Sequence, residues 1–439
     1  MHTAMRGALW FGAYVAVVVV PLIFATLGVV DAERGFWREF AVAIGFVGLS
    51  MMGMQFVLVA RLKVVAAPFG EDVLVMFHRY MGYLGTALIF AHPVILIVLV
   101  DHTYLERVIP WTAPWAGRLG TLSIVCVLIV IATSIWRNRL KISYEVWQVV
   151  HLVLSTVAIA AAVGHVELIG NYISEPWKRA LWVLMSLGFV IIFLWVRIVR
   201  PTIRMRRPWE ITAVTAERGD VYTITLRPVG HDGFTFAPGQ FGWLSLHRSP
   251  FSPTQHPFSF SSNGDDPSAV QMSIKELGDF TRTICQVTPG TRAYLDGPHG
   301  VFTPDRYPSP GVVLIGGGVG ITPLMSILRT FAERRDTRPC YLFFGVPDIT
   351  SATFADEIDA LTKDLNLTVI YVASRPSDDW TGERGFINAD VLLRHLPDNR
   401  KSLQYFICGP GPLQDAMEDA LGDLNVPREQ VHTERFNFV

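Results

Sequence analysis

The sequence predicts a multidomain membrane protein: an all-α bundle of six transmembrane helices, then an antiparallel β-barrel, then a parallel α/β nucleotide-binding domain. Three observations predict it. Apolar runs long enough to cross a bilayer fill the chain up to about Arg200 and then stop. The stretch from about 208 to 305 alternates short β-prone segments with turn residues. The remainder couples a glycine-rich turn to repeated strand and helix signals.

The apolar runs fall at about 8–30, 40–60, 73–100, 119–136, 146–168 and 179–199. The first is read as a retained helix, because further spans follow it. Six crossings return the chain to its starting side. With the N-terminus in the cytoplasm, Arg6, Arg61, Lys63, Arg137, Arg139, Lys141, Arg197, Arg200, Arg204, Arg206 and Arg207 all lie inside. The outer loops then carry mixed charge, in Asp31, Glu33, Arg34, Asp101, Glu106 and Arg107. This asymmetry follows the positive-inside rule and puts the soluble half in the cytoplasm of a cell bounded by a plasma (inner) membrane. Overall charge nearly cancels, with 37 Lys and Arg against 38 Asp and Glu, so nothing points to nucleic acid. Cys126, Cys285, Cys340 and Cys408 form no CxxC or metal-ligand spacing, and no disulfide framework is expected.

The third span contains His78 and His92, the fifth His151 and His165. Both pairs are separated by 14 residues, which along a helix is about 21 Å of rise and about 40° short of four full turns. Each pair therefore lies near one helix face with one member toward each leaflet. The two spans run the same way, so His78 meets His151 on the cytoplasmic side and His92 meets His165 on the outer side. Ionisable residues in a membrane are costly and mark function, and imidazole is a good axial ligand for haem iron. The repeated spacing predicts two haems, one above the other. His2 and His102 fall outside the pattern.

In the barrel segment, strand-like Val221–Leu226 is followed by Pro238-Gly239-Gln240-Phe241, His256-Pro257-Phe258-Ser259, Gly278-Asp279-Phe280-Thr281 and Gly297-Pro298-His299-Gly300. The Gly278–Thr281 turn opens a predicted helix, whose N-terminal N–H groups suit a pyrophosphate. Beyond it, Val312–Ile315 runs into Gly316, Gly317, Gly318 and Gly320, then Thr322-Pro323, a strand–turn–helix in which glycines let the backbone approach a dinucleotide phosphate. Strand signals recur at 339–345, 368–374 and 405–409.

In these motifs and their order the chain resembles the ferric reductase and NADPH oxidase superfamily, and residues 208–439 are similar to ferredoxin–NADP reductase modules. The resemblance implies a di-haem domain over 1–203, an FAD-binding barrel over 204–306 and an NAD(P)-binding domain over 307–439. It implies that His78, His92, His151 and His165 bind two haem b groups. His256, Pro257, Phe258 and Ser259 would lie along the flavin, Ser259 near its N5. Gly278, Asp279, Phe280 and Thr281 would hold the FAD pyrophosphate, and Gly316, Gly317, Gly318, Gly320, Thr322 and Pro323 the nicotinamide dinucleotide. Cys408-Gly409-Pro410 would sit beside the nicotinamide at hydride transfer. Glu434 and Phe436 match a terminal acid-x-aromatic pattern whose aromatic stacks on the flavin, with Phe438 a competing choice. Ser374-Arg375 resembles the 2′-phosphate contact of NADPH-specific reductases, leaving NADH as the alternative. The implied catalytic set is thus Ser259, Cys408, Glu434 and Phe436. The implied activity moves electrons from cytoplasmic NADPH through FAD and haem to an outer acceptor, a ferric or other metal chelate. Oxygen reduction to superoxide or peroxide, and supply of electrons to a partner protein, are the alternatives. The chain departs from the superfamily's oxidases: no EF-hand loop is present, Leu96 stands four residues after His92, and Arg38 lies at the outer edge of the second span rather than in its middle.

Overall fold

The computed structural model describes residues 2–27, 35–109, 111–246, 249–252 and 255–435. It divides into two compact units, about residues 1–200 and 201–438.

The first unit holds six helices long and apolar enough to cross a membrane: His2–Thr26, Phe36–Leu58, Glu71–Ile95, Trp115–Ile135, Tyr144–Ile169 and Pro176–Leu194. They match the expected spans in number and order. Residues 28–30, expected at the end of the first, lie outside the described residues. The third and sixth spans run on as short π-helical turns, Leu96–Val100 and Trp195–Val199. In the third span the turn follows Pro93, which lacks an N–H for the helical ladder. Ser143 caps the fifth span by accepting from the Val146 N–H, and Gly170 ends it in the left-handed conformation. The sixth span starts with Pro176, whose fixed φ suits a first helical position.

The second span is the hub: 56% of its most apolar window is buried, against 6–22% for the others. Glycine makes this possible. A Cβ at Gly48 would lie 2.9 Å from Ile89 of the third span, and one at Gly53 would lie 2.5 Å from the ring of Phe189 in the sixth. Small residues are how apolar helices pack closely where lipid competes for every contact.

The second unit contains two six-stranded sheets. The first comprises β1 (Trp209–Glu217), β2 (Val221–Pro228), β3 (Phe241–Leu246), β4 (His256–Ser259), β5 (Val270–Lys275) and β6 (Arg292–His299), in the order β4-β3-β6-β1-β2-β5. Every pairing is antiparallel. The expected barrel is only half closed. Strand β4 has four residues, too few to pair along β5, and the edges meet through a single bridge, Phe260 to Met272. Trp209, Ile211, Ile224, Leu226, Leu244 and Phe260 fill its interior.

The second sheet is parallel throughout: β7 (Val312–Gly317), β8 (Cys340–Val346), β9 (Leu367–Ala373), β10 (Glu383–Arg384), β11 (Gln404–Cys408) and β12 (Val431–Thr433). Its order, β10-β9-β8-β7-β11-β12, reverses direction at β7. Ligands of open α/β sheets bind at the carboxyl ends of the strands flanking such a reversal. Strands β10 and β12 escaped the sequence reading because two and three residues carry no periodicity.

The two sheets are joined by an arginine on the helix Ile321–Glu333, Arg329, and by the arginine that follows its last residue, Arg334. Arg329 makes a two-pronged pair with Glu357 at 2.7 Å and donates to the Ser261 carbonyl (2.6 Å) and Gln271 Oε1 (2.9 Å). Arg334 reaches Asp265 and Asp305, each at 2.7 Å. Arg329 is only 17% exposed, so its four hydrogen bonds are partly shielded from water. Arg329→Ala should therefore lower the stability of this unit by about 1.5–3 kcal/mol, read as an earlier urea midpoint by intrinsic fluorescence. Arg329→Lys, which keeps the charge but not the planar fork, should recover only part. An unchanged midpoint in Arg329→Ala would reject the role.

Candidate functional site

The four intramembrane histidines come together in two layers. His78 and His151 face each other with ring centroids 6.2 Å apart and planes 47° apart. A metal held by two imidazole nitrogens at about 2 Å each leaves the ring centroids about 6 Å apart. His92 and His165, toward the other ends of their spans, are close enough to interact electrostatically. Among the described residues no group of three or more His, Cys, Asp and Glu could hold a metal ion. A porphyrin supplies four of its iron's ligands and asks the protein only for an axial pair.

The surroundings fix the tautomers of the second layer. His92 Nδ1 lies 2.8 Å from the Ala41 carbonyl, and His165 Nδ1 lies 2.8 Å from the Ala116 carbonyl. A carbonyl only accepts, so each Nδ1 carries the proton and each Nε2 keeps a lone pair for a metal. One helical turn on from each carbonyl is a glycine whose Cβ would lie 3.0 Å from the same Nδ1: Gly45 beside His92 and Gly120 beside His165. The second and third spans thus repeat the arrangement of the fourth and fifth. In the first layer, His78 Nδ1 is buried with no hydrogen-bond partner among the described residues, and His151 Nδ1 lies 3.4 Å from Ser134 Oγ. The histidines were legible from sequence, but their partners were not. An Ala-x-x-x-Gly pattern ahead of each histidine span, at Ala41/Gly45 and Ala116/Gly120, is the signal that could have found two of them.

In the second unit, the carboxyl end of β7 meets that of β11 turn against turn. A Cβ at Gly320 would lie 2.2 Å from the Cys408 carbonyl oxygen. One at Gly317 would lie 2.6 Å from Leu413, and one at Gly409 would lie 3.1 Å from the Gly317 nitrogen. Gly316 backs onto Leu324 at 3.0 Å. Gly318 differs: its φ is +56° and nothing lies within 4 Å of its Cβ direction, so the turn is open there. Pro323 stands in the first turn of the following helix, where its missing N–H costs nothing. The Thr322 hydroxyl is buried and donates to the Ser273 carbonyl at 3.3 Å, a contact to the first sheet. Pro410 leads into the helix Gly411–Asp423.

Glu434 is 3% exposed, and its Oε1 would lie 2.8 Å from a Cβ at Gly300. Gln414 Nε2 donates both to the Gly409 carbonyl (2.9 Å) and to the Glu434 carbonyl (3.1 Å), tying the C-terminal segment to the Cys408–Pro410 turn. Burial, reinforced by the charge of Glu434, pushes the Cys408 thiol well above its usual range, so it stays protonated. Ser259 ends β4 opposite Phe241, which also touches Gly300. Ser259, Gly300, Cys408 and Glu434 are thereby brought into one neighbourhood, and Gln414 is a member that the sequence reading missed.

The remaining flavin candidates form a second cluster. The His256 ring stacks on Phe280 with centroids 3.7 Å apart and planes 12° apart, and Phe258 stacks beyond it at 6.1 Å. The Gly278–Thr281 turn opens a six-residue 3-10 helix, Thr281–Gln286. The Thr281 hydroxyl accepts from the Leu277 and Gly278 N–H groups (2.9 and 2.8 Å), so Thr281 shapes this turn from within. Asp279 is exposed, 3.7 Å from Arg282. Pro257 occupies the β4 position opposite Trp243. Ser374 and Arg375 follow β9, their N–H groups bonded to the Val346 and Pro347 carbonyls beyond β8. Arg375 is exposed, and its guanidinium makes no ion pair among the described residues. Phe436 and Phe438 lie outside the described residues.

Two family models match the chain: the ferric reductase like transmembrane component over residues 44–162 and the oxidoreductase NAD-binding domain over residues 314–419. The chain is 28% identical over 236 residues to the reductase component of propane 2-monooxygenase from Rhodococcus jostii, covering 52% of this chain and 62% of that one. It is 28% identical over 213 residues to ferredoxin–NADP reductase B of Sorangium cellulosum, covering 46% and 86%. It therefore spans less than two thirds of the length of the monooxygenase reductase components it matches. Among solved structures, the ferredoxin reductase in carbazole 1,9a-dioxygenase matches with a TM-score of 0.47 and 26% identity over 52% of this chain and 69% of that one.

Gly320 offers a direct check of the nucleotide turn. Gly320→Ala places a methyl group against the backbone of Cys408, which cannot swing away. Overpacking of this kind costs about 1–3 kcal/mol, which corresponds to about 5- to 150-fold in affinity. NADPH binding, followed by fluorescence titration, should weaken by that order while the protein remains folded by circular dichroism. Unchanged affinity would show that the turn is not the dinucleotide seat.

Proposed function

We propose that this multi-pass oxidoreductase, a ferric reductase-like transmembrane domain fused to a nucleotide-binding reductase module, carries electrons from NADPH in the cytoplasm to an acceptor on the outer face of the plasma (inner) membrane. The observation that carries the reading is the two-layer array of paired imidazoles, with His92 and His165 held in the tautomer that leaves Nε2 for a metal. His78 and His151 would hold one haem b, and His92 and His165 the other. Bound at these sites, FAD and the two haems supply the conversion of a hydride's electron pair into single electrons and their carriage across the membrane.

The chain's own residues do the rest. Gly316, Gly317, Gly318 and Gly320 let the nucleotide backbone approach the helix Ile321–Glu333, whose N-terminal dipole favours a phosphate. Arg375 offers a free fork to a 2′-phosphate. Ser259, opposite Phe241 in the first sheet, would lie along a bound flavin. The Cys408 thiol stays neutral, so it adds no negative charge where a hydride departs. Arg137, Arg139 and Lys141, in the loop between the fourth and fifth spans, mark the cytoplasmic side.

For the outer acceptor the favoured class is an anionic metal chelate. Arg38 donates to the Tyr104 hydroxyl, and Arg107 lies over the same ring at 4.8 Å. Arg38 is one helical turn before Ala41, the partner of His92. The Arg107 carbonyl packs against Gly117, beside Ala116, the partner of His165. Two permanent cations thus flank the outer histidine layer and favour a negatively charged acceptor.

Two outcomes test the reading. The purified wild type should hold two haems by pyridine haemochrome and oxidise NADPH anaerobically with a ferric chelate faster than aerobically without one. His92→Leu should hold one haem and lose chelate reduction, while NADPH still bleaches the flavin. A wild type with no Soret band after haem supplementation would sink the di-haem reading. A fast aerobic rate with superoxide as the main product would replace the chelate with oxygen. Independently, Arg375→Ala should weaken NADPH by about 1.5–3 kcal/mol, as expected for a charge-assisted contact, and leave NADH little changed. Equal losses for both nucleotides would reject the 2′-phosphate contact.

A further inference from the structure

We propose that Ser134 and Trp147 position His151 and set the strength of its Nδ1–H hydrogen bond, and through it the reduction potential of the haem that His151 would bind. The inference rests on the di-haem reading above.

The donors and acceptors around Ser134 Oγ leave one consistent arrangement. The hydroxyl donates its single proton to the Val130 carbonyl at 2.7 Å. Trp147 Nε1–H, which can only donate, reaches the same oxygen at 3.2 Å. His151 Nδ1 lies 3.4 Å away. With the hydroxyl proton committed and one lone pair taken by the indole, the other lone pair accepts from His151. This arrangement puts the His151 proton on Nδ1 and leaves the Nε2 lone pair for a metal.

This bond differs in kind from those of the other layer. His92 and His165 each donate to a backbone carbonyl at 2.8 Å. His151 donates at 3.4 Å to a side-chain hydroxyl that it shares with an indole. A stronger Nδ1–H bond makes the opposite nitrogen more basic, and a more basic axial ligand favours ferric over ferrous iron. Trp147 is itself held in place. It stacks on Tyr144 at 5.7 Å, Arg137 covers both rings at 5.6 Å, and its ring centroid lies 5.1 Å from that of His151. Removing the Ser134 hydroxyl takes only one side-chain donor from the Val130 carbonyl, which Thr133 Oγ1, bonded to the Ile129 carbonyl at 2.8 Å, also approaches at 3.1 Å.

The two side chains should act with opposite signs. Ser134→Ala deprives the His151 Nδ1–H of its acceptor and weakens the ligand's basicity. Trp147→Phe removes the competing donor but keeps the ring, so the hydroxyl accepts more fully from His151. The experiment is a spectroelectrochemical titration of the haem α-band on the purified, haem-loaded full chain. Ser134→Ala should move one of the two one-electron steps to more positive potential and leave the other in place. Ser134→Thr should restore it, and Trp147→Phe should move the same step to more negative potential. The inference is overturned if neither variant moves a step, if both steps move together, or if the two variants shift one step in the same direction. Should Ser134→Ala fail to bind haem, the sign of the Trp147→Phe shift alone decides. A wild type without a Soret band overturns the haem reading itself, a result distinct from all of these.

Discussion

A histidine inside a bilayer has no water to receive its N–H, and that constraint organises the packing around His92 and His165. In the layer of His92 and His165 the acceptor is a carbonyl on a neighbouring helix, from Ala41 for His92 and from Ala116 for His165. A helix carbonyl is within reach only where two helices come almost into backbone contact. That proximity requires the glycine one turn further on, Gly45 or Gly120, since any side chain there would strike the imidazole. The same demand makes the second span the most buried of the six. Four spans of the bundle are therefore two copies of one device, a small-residue helix holding a histidine helix, each bringing one histidine to each layer.

The reductase unit solves a different problem with the same residue type. Its nucleotide turn must bring the ends of β7 and β11 together while leaving room for a ligand. Gly317, Gly320 and Gly409 serve the packing of turn on turn, since each would clash with side-chain or backbone atoms of the opposite turn if it carried a Cβ. Gly318 alone serves the opening. Thr322 divides likewise: its hydroxyl joins the two sheets at Ser273 and so helps set where one cofactor's sheet stands against the other's.

What was legible in the sequence is what side chains announce through periodicity or chemistry. Hydropathy marked six spans, the doubled fourteen-residue interval marked the histidines that come together in pairs, and the glycine run marked the switch point of the parallel sheet. Backbone groups carry no letter, so the Ala41 and Ala116 carbonyls were invisible, as were the Gln414 bridges from Gly409 to Glu434. The antiparallel barrel was legible from its alternating segments, but not that it closes only in part, which follows from the four-residue length of β4. Thr281 was assigned to a phosphate seat from its motif. Its hydroxyl is occupied with the Leu277 and Gly278 N–H groups, a local bond that short polar side chains form readily in turns.

The contrast between backbone and side-chain acceptors also bears on which part of the membrane unit can be tuned. A carbonyl cannot be replaced by substitution, so the hydrogen bonds of His92 and His165 are properties of the helix packing and change only if the helices move. The bond of His151 ends on a serine, and its strength depends further on an indole that competes for the same oxygen. One layer is thus set by architecture and the other by two side chains, each open to graded substitution without moving a helix. On the proposed electron path, the spacing between sites would be conserved by the fold while the relative driving force between them would need adjustment. Placing the adjustable hydrogen bond on His151, and the invariant ones on His92 and His165, separates those two requirements within a single helix, since His151 and His165 share the fifth span.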